Sequence, residues 1–240
     1  THLHPRPDEI KKCGELYNCR PHQWLEEIGW IDKNVSFAHI SRHNAEELDI
    51  VARNGASVTQ SPSCHMRLGY PIAPALEARD RGIPVSIGVD GGASNDSGDM
   101  LGELRTMLYV HRIDGGHPGY GPERWINAKE VFEMATVNGA KCLNRDDIGM
   151  LKEGMAADLV LFSMIQPGYA GALTDPRGAL LYCGNNHLAD TTIVNGNVLI
   201  ENGIFLAGDL NQIVEDANRS TARILKLVKD KTGIDYRMEA

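Results

Sequence analysis

Apolar residues recur at helical spacing through Ile10, Cys13, Leu16 and Tyr17, and again through Trp24, Leu25 and Ile28, with Pro21 between the two sets. A proline does not continue a helix interior, so the span from Asp8 to Ile28 predicts two short helices. The compact β-rich run Val35 to His39 follows, then a helix over Asn44 to Asn54 with Leu48, Ile50 and Val51 on one face and Gly55 at its end. The same order repeats. Ala56 to Thr59 predicts a strand ending at Ser61-Pro62, Ile72 to Arg81 a helix, and Pro84 to Val89 a strand that is apolar almost throughout. A continuous apolar run suits a parallel strand covered on both faces. Strands alternating with helices predict βα units, and polar or glycine-rich residues stand directly after each strand, where barrels of such units keep their chemistry.

Asp99 to Arg112 and Asn127 to Cys142 predict two further helices, joined by the glycine-rich loop Gly115 to Pro122. From Ile148 the texture changes to short strands with glycine turns, over Gly149 to Gly154, Ala157 to Phe162 and Thr191 to Ile200. Asn195-Gly196 reads as the turn of a hairpin in the last of these. Leu210 to Lys229 predicts an amphipathic, highly charged helix. The expected organisation is therefore an α/β segment over residues 1–147, a β segment over 148–206 and a C-terminal helix within 207–240.

Composition narrows the classes. The 240 residues carry 32 Asp plus Glu against 24 Lys plus Arg, a formal net charge of −8, which disfavours a binder of nucleic-acid phosphates. Five cysteines, scattered and without a C-x-x-C pair, suggest neither a disulfide framework nor a thiolate zinc cluster and suit a reducing, cytoplasmic setting. No apolar run approaches the roughly 20 residues of a membrane span, so no membrane partner is expected.

Three strand ends carry groups that suit a metal hydrolase: His2, His39 and Asp90. Imidazole nitrogen and carboxylate oxygen together favour Zn²⁺, with Fe²⁺ as the alternative, and an ion with an open position acidifies its water. A His or Asp at a strand end is also a common structural residue, so the types alone do not decide between the two readings.

The order of motifs adds more. Thr1-His2-Leu3, Phe37-Ala38-His39, Ser61-Pro62-Ser63-Cys64-His65-Met66-Arg67-Leu68-Gly69 and Gly88-Val89-Asp90-Gly91-Gly92-Ala93-Ser94-Asn95-Asp96 together resemble the second half of an amidohydrolase-superfamily barrel. Within it they are most similar to the aminohydrolases of nitrogen heterocycles, such as 8-oxoguanine, isoxanthopterin, guanine and hydroxytriazine deaminases. The stretch Ile148 to Val160 resembles the return of such chains to a small β-sandwich. The resemblance implies the C-terminal half of a (β/α)8 barrel followed by part of that sandwich. It further implies one divalent metal held by His2 and Asp90, with His39 at the hydrolytic water or the leaving-group region and Asp90 also serving as general base. A purine, pterin or triazine ring would lose its amino group as ammonia. Arg67 resembles a residue that faces a substrate carbonyl, and the equal alternative is a surface or barrel-closing arginine. Cys64 and His65 stand where relatives more often carry Ser and Asn; both, with Asn95, are candidate substrate contacts, the alternatives being that His65 merely fills the space and that Cys64, as is more often the case for a cysteine at a strand end, is an inert core thiol.

Two departures from the resemblance stand out. Relatives usually carry a glutamate proton shuttle three residues after the first of these histidines, where this chain has Pro5. Their His-x-His metal pair lies upstream of everything here, and His2-Leu3-His4 is not that pair, because too few residues separate it from His39 to hold the intervening strands. The expected partners are accordingly the N-terminal half of the barrel and a small heterocyclic substrate, with a homo-oligomer as a further option. The alternative functions are a dechlorinating or cyclic-amide hydrolase on the same barrel, or a catalytically incomplete interaction module.

Overall fold

The computed structural model describes residues 1–3, 6–113, 121–183 and 187–236. Pro5, His4 and most of the loop from Gly115 onward, including His117, lie outside the described residues. Two compact units are present, Thr1–Ala157 with Met164–His187, and Asp158–Ser163 with Leu188–Ala240.

The first unit is α/β. Strands β1 (His2–Leu3), β2 (Ser36–His39), β3 (Ser57–Gln60) and β4 (Val85–Ile87) form a parallel sheet in sequence order. Its register aligns His2 with Ala38, Ala38 with Thr59 and Thr59 with Ser86. Along the same sheet the hydroxyls of Ser36, Thr59 and Ser86 form a ladder at 3.1 and 2.9 Å. Helices α1 (Pro7–Tyr17) and α2 (Pro21–Glu27) follow β1, α3 (Ala45–Arg53) follows β2, and α4 (Pro62–Leu68) with α5 (Ala75–Asp80) follow β3. Helices α6 (Met100–Val110), α7 (Ala128–Ala135), α8 (Val137–Cys142) and α9 (Pro176–Tyr182) complete the unit. Phe37, Val58 and Val85 on the strands and Leu48, Ile50, Val51, Leu76, Leu104, Met107, Leu108 and Val131 on the helices form the buried core.

Local chemistry accounts for the boundaries. Asn44 accepts the Glu47 amide at 2.9 Å while Glu47 accepts the Asn44 amide at 3.0 Å, a reciprocal cap that starts α3. Asn127 and Glu130 repeat it at α7. Helix α5 starts at Ala75, later than Ile72, because Pro71 to Pro74 is not helical. The helix expected over Asn127 to Cys142 is two, broken at Thr136 with φ −121° and ψ −86°. Gly149 to Gly154 holds a turn where a strand was expected. Two helices were not foreseen, α4 and α9, and each opens with a proline, whose fixed φ is already helical at that position.

Gly149 adopts φ +91°, and a Cβ there would lie 3.0 Å from both Ala140 Cβ and Thr136 O. Gly149→Ala is expected to destabilise the first unit by about 1–2 kcal/mol or more, since the left-handed penalty adds to a backbone contact that cannot yield. A urea midpoint unchanged from the parent would refute this.

In the second unit β5 (Leu159–Leu161), β6 (Thr191–Val194), β7 (Asn197–Glu201) and β8 (Ile204–Phe205) form an antiparallel sheet in that order. Asn195 and Gly196 have φ 47° and 78°, the positive values that a two-residue hairpin turn needs. Helix α10 (Leu210–Thr232), started by the Asp209 cap on the Gln212 amide at 3.1 Å, buries none of its residues. Among the described residues no helix is long and apolar enough to cross a membrane.

Candidate metal centre

The carboxyl ends of four successive parallel strands bring the candidate chemistry together. His2 lies in β1, His39 ends β2, Cys64 and His65 lie in α4 directly after β3, and Asp90 follows β4. The His2 and His39 rings are 5.0 Å apart between centroids. Donor atoms of His39, Cys64 and Asp90 all lie within 4.8 Å of one another. His2 is exposed, whereas His39 and Cys64 are buried.

The backbone is strained where it delivers these groups. His39 has φ 75°, the β-branched Ile40 φ 44° and Asp90 φ 63°. Each such left-handed, non-glycine residue costs on the order of 1–3 kcal/mol, and such conformations collect at functional sites. Strand pairing up to His39 and the burial of Ile40 hold the chain there.

Electrostatics set the resting protonation. Burial, with the neighbouring His65 second, pushes His39 down to about 4. Burial likewise lowers His65 and pushes the Cys64 thiol up to about 11. The thiol is therefore protonated and donates to Asp90. Partial burial opposes ionisation of Asp90, but the Cys64 thiol and the Gly91 amide at 2.7 Å outweigh it, and the carboxyl sits below its usual range. The imidazole nitrogens of His2 and His39 and the Asp90 carboxylate are donors that suit a borderline divalent cation such as Zn²⁺, while the protonated Cys64 thiol is spent on Asp90.

The remaining candidates sit around this cluster. Arg67 Nη1 pairs with Asp96 at 2.5 Å, and both side chains are more than half exposed. His65 uses both ring nitrogens, Nε2 with His39 Nδ1 at 3.0 Å and Nδ1 with the Pro71 carbonyl at 2.8 Å. Asn95 is buried, donating to Glu103 Oε2 at 3.1 Å and accepting from Ser97 Oγ at 3.0 Å. Glu103 escaped the sequence reading. It is 1 % exposed and accepts the Ser63 amide at 2.9 Å, so one buried carboxylate ties the start of α4 to the loop that carries Asp90. Its signal was a glutamate on the apolar face of α6, between Leu101 and Leu104.

Burial lowers His43 as well, and its Nδ1 contacts the Ile40 carbonyl at 3.2 Å. An imidazole held below its ordinary 6.5 binds its proton first in the unfolded chain, so acidification below about 6.5 favours unfolding. For His39 the loss continues to about 4. The metal-free chain is expected to have a lower urea midpoint at pH 5 than at pH 7.5, with a smaller drop in His43→Gln. Equal drops in the two proteins would refute the contribution of His43.

Residues 1–199 match the Amidohydrolase family. The chain belongs to that family. Among its amidohydrolase relatives, it is 32 % identical over 218 residues to 5-methylthioadenosine/S-adenosylhomocysteine deaminase of Desulfitobacterium hafniense, covering 91 % of this chain and 49 % of the relative. It is 35 % identical over 214 residues to 8-oxoguanine deaminase of Pseudomonas aeruginosa, covering 89 % and 46 %. The crystal structure of atrazine chlorohydrolase from Arthrobacter aurescens TC1 complexed with zinc superimposes with a TM-score of 0.85 at 35 % identity, covering 91 % of this chain and 47 % of that one. This amidohydrolase chain therefore spans about half the length of the curated relatives it matches.

Proposed function

We propose that this chain is the C-terminal half of a (β/α)8 amidohydrolase barrel, with residues 1–147 as barrel, 148–206 as the return to a small β-sandwich and 207–240 as a terminal helix. Its function, on this reading, is hydrolytic deamination of an aromatic nitrogen heterocycle, completed by an N-terminal half of the barrel. The observation that carries the reading is the convergence of His2, His39, Cys64 and Asp90 at the ends of successive parallel strands. Relatives named as deaminases of purine compounds support the substrate class. An apolar groove of about 480 Å³ beside β1, lined by Leu3, Leu16, Tyr17, Trp24, Leu25 and Trp30, supports a neighbouring barrel segment at that edge.

His2 and Asp90 would hold one divalent ion, Zn²⁺ before Fe²⁺, and the ion would acidify a water and polarise the ring carbon. The chain's own groups do the rest. Asp90 accepts the water proton and returns it to the departing amine. His39, neutral and at the end of its strand, accepts a hydrogen bond from that water. Water adds at the ring carbon, the carbon–nitrogen bond breaks, and ammonia leaves with the transferred proton. Arg67 on the rim would face an electron-rich carbonyl of the ring, with Cys64, His65 and Asn95 shaping the floor beneath.

The second reading keeps the barrel and exchanges ammonia for chloride, and the similarity to atrazine chlorohydrolase favours it. The test is metal content and product release by the chain co-expressed with a matching N-terminal half, over a panel of purines, pterins, aminotriazines and chlorotriazines. One metal per assembled barrel with ammonia release is the expected result. Chloride release alone supports the second reading, and no metal with no product overturns both.

A further inference from the structure

His65 bridges a backbone carbonyl and His39, and the direction of its hydrogen bonds is decided by chemistry. The Pro71 carbonyl only accepts, so His65 Nδ1, 2.8 Å away, carries a proton. His65 is 1 % exposed, and a buried neutral imidazole whose proton sits on Nδ1 has a bare Nε2, which accepts. The partner at 3.0 Å is His39 Nδ1, which therefore donates. A neutral His39 with its proton on Nδ1 has a bare lone pair on Nε2.

We propose that His65 is a positioning residue: by accepting from His39 Nδ1 while donating to Pro71 O, it holds His39 in the Nδ1–H tautomer and leaves its Nε2 unprotonated. Without that acceptor nothing in the His39–His65 pair would hold the proton on Nδ1, and a protonated Nε2 would repel a cation and could not accept from water. The orientation has further support. Tyr70 donates its amide to the His65 carbonyl at 2.8 Å, and the Tyr70 ring stands edge-on to the imidazole at 6.1 Å. The segment after α4 thus fixes both His65 and the carbonyl it donates to. His65 then acts through His39 and has no ring nitrogen left for a substrate.

The catalytic consequence rests on the deaminase reading, but the tautomer does not. The deciding measurement is the long-range proton–nitrogen correlation spectrum of the ¹⁵N-histidine-labelled 240-residue chain, repeated after assembly with an N-terminal half. His39 and His65 are both expected with protonated Nδ1 and bare Nε2. His65→Leu should shift His39 toward the Nε2–H form, whereas His65→Asn, whose side-chain oxygen can accept, should restore Nδ1–H. In the assembled enzyme His65→Leu should lower kcat about 10–100-fold with a smaller change in KM, and His65→Asn should recover most of it. Nε2–H on His39 in the parent chain overturns the proposal, as does Nδ1–H persisting in His65→Leu. Equal loss in Leu and Asn variants that keep the parent spectrum elsewhere would assign a merely structural role and also overturn it. If His65→Leu does not fold, the parent spectrum decides alone. A parent enzyme that releases no ammonia yet shows the predicted tautomer refutes the deaminase reading and leaves the positioning role standing.

Discussion

On the proposed deaminase reading, Asp90→Asn is expected to lower ammonia release by the assembled enzyme about 10²–10⁴-fold, the range for loss of a general base, and to reduce its bound metal below one per barrel. Both effects have one source. The carboxylate at Asp90 is kept ionised by the Gly91 amide at 2.7 Å and by the Cys64 thiol, so it brings a full negative charge to the cluster. An amide has neither that charge nor the basicity to take a proton from water. It does keep an oxygen that accepts from Gly91 and Cys64, so the loop should survive, and the unfolding midpoint should move by less than about 1 kcal/mol. Activity within tenfold of the parent, with the metal retained, would remove Asp90 from both roles.

Glu47→Leu is expected to cost about 3–5 kcal/mol of stability in the first unit, the largest folding effect we anticipate from one side chain. Glu47 is fully buried. It accepts from Arg20 Nη2 at 2.7 Å and from the Asn44 amide at 3.0 Å, and His22 Nδ1 lies 3.3 Å away. Leucine matches the burial but removes the acceptor, leaving a guanidinium partly buried without its carboxylate and a helix start without half its cap. Arg20 is about one-third exposed, which lets water recover some of the loss and places the result toward the lower end of the range. Glu47→Gln keeps an acceptor oxygen and loses the charge, so it should fall between leucine and the parent. Denaturant titration of the three proteins measures the order, and a leucine variant within about 1 kcal/mol of the parent would show that the buried pair adds no net stability.

The two cases differ in how far the residues themselves betray their roles. At α3, Asn44 and the apolar triad Leu48, Ile50 and Val51 announce a helix and its buried face, because capping and 3.6-residue periodicity are local. Glu47 looks from the chain like an ordinary residue of a first helical turn. Its burial comes from α2 packing on α3, which brings Arg20 and His22 from more than twenty residues away. Prolines misled in the other direction. Pro62 read as the end of a strand, but it stands at the first position of α4, as Pro176 does at α9, where the missing N–H costs nothing.

At the candidate metal centre His39 and Asp90 stood out because each follows or ends an apolar run, positions that a parallel sheet places on one edge, and His2 because Thr1-His2-Leu3 opens the ordered set of motifs. The α/β order, the strand ends and the Asn195-Gly196 hairpin were thus determined by sequence alone, since they depend on periodicity, turn conformation and chain direction within a few residues. Only the tertiary structure decided that Cys64 donates to Asp90, that Glu103 ties α4 to the loop after β4, and that His65 spends both nitrogens on Pro71 and His39. Those are contacts between residues 6 to 40 positions apart. A hydrogen bond of that kind depends on distances of a few tenths of an ångström between separate elements, and no pattern along one strand or helix encodes it.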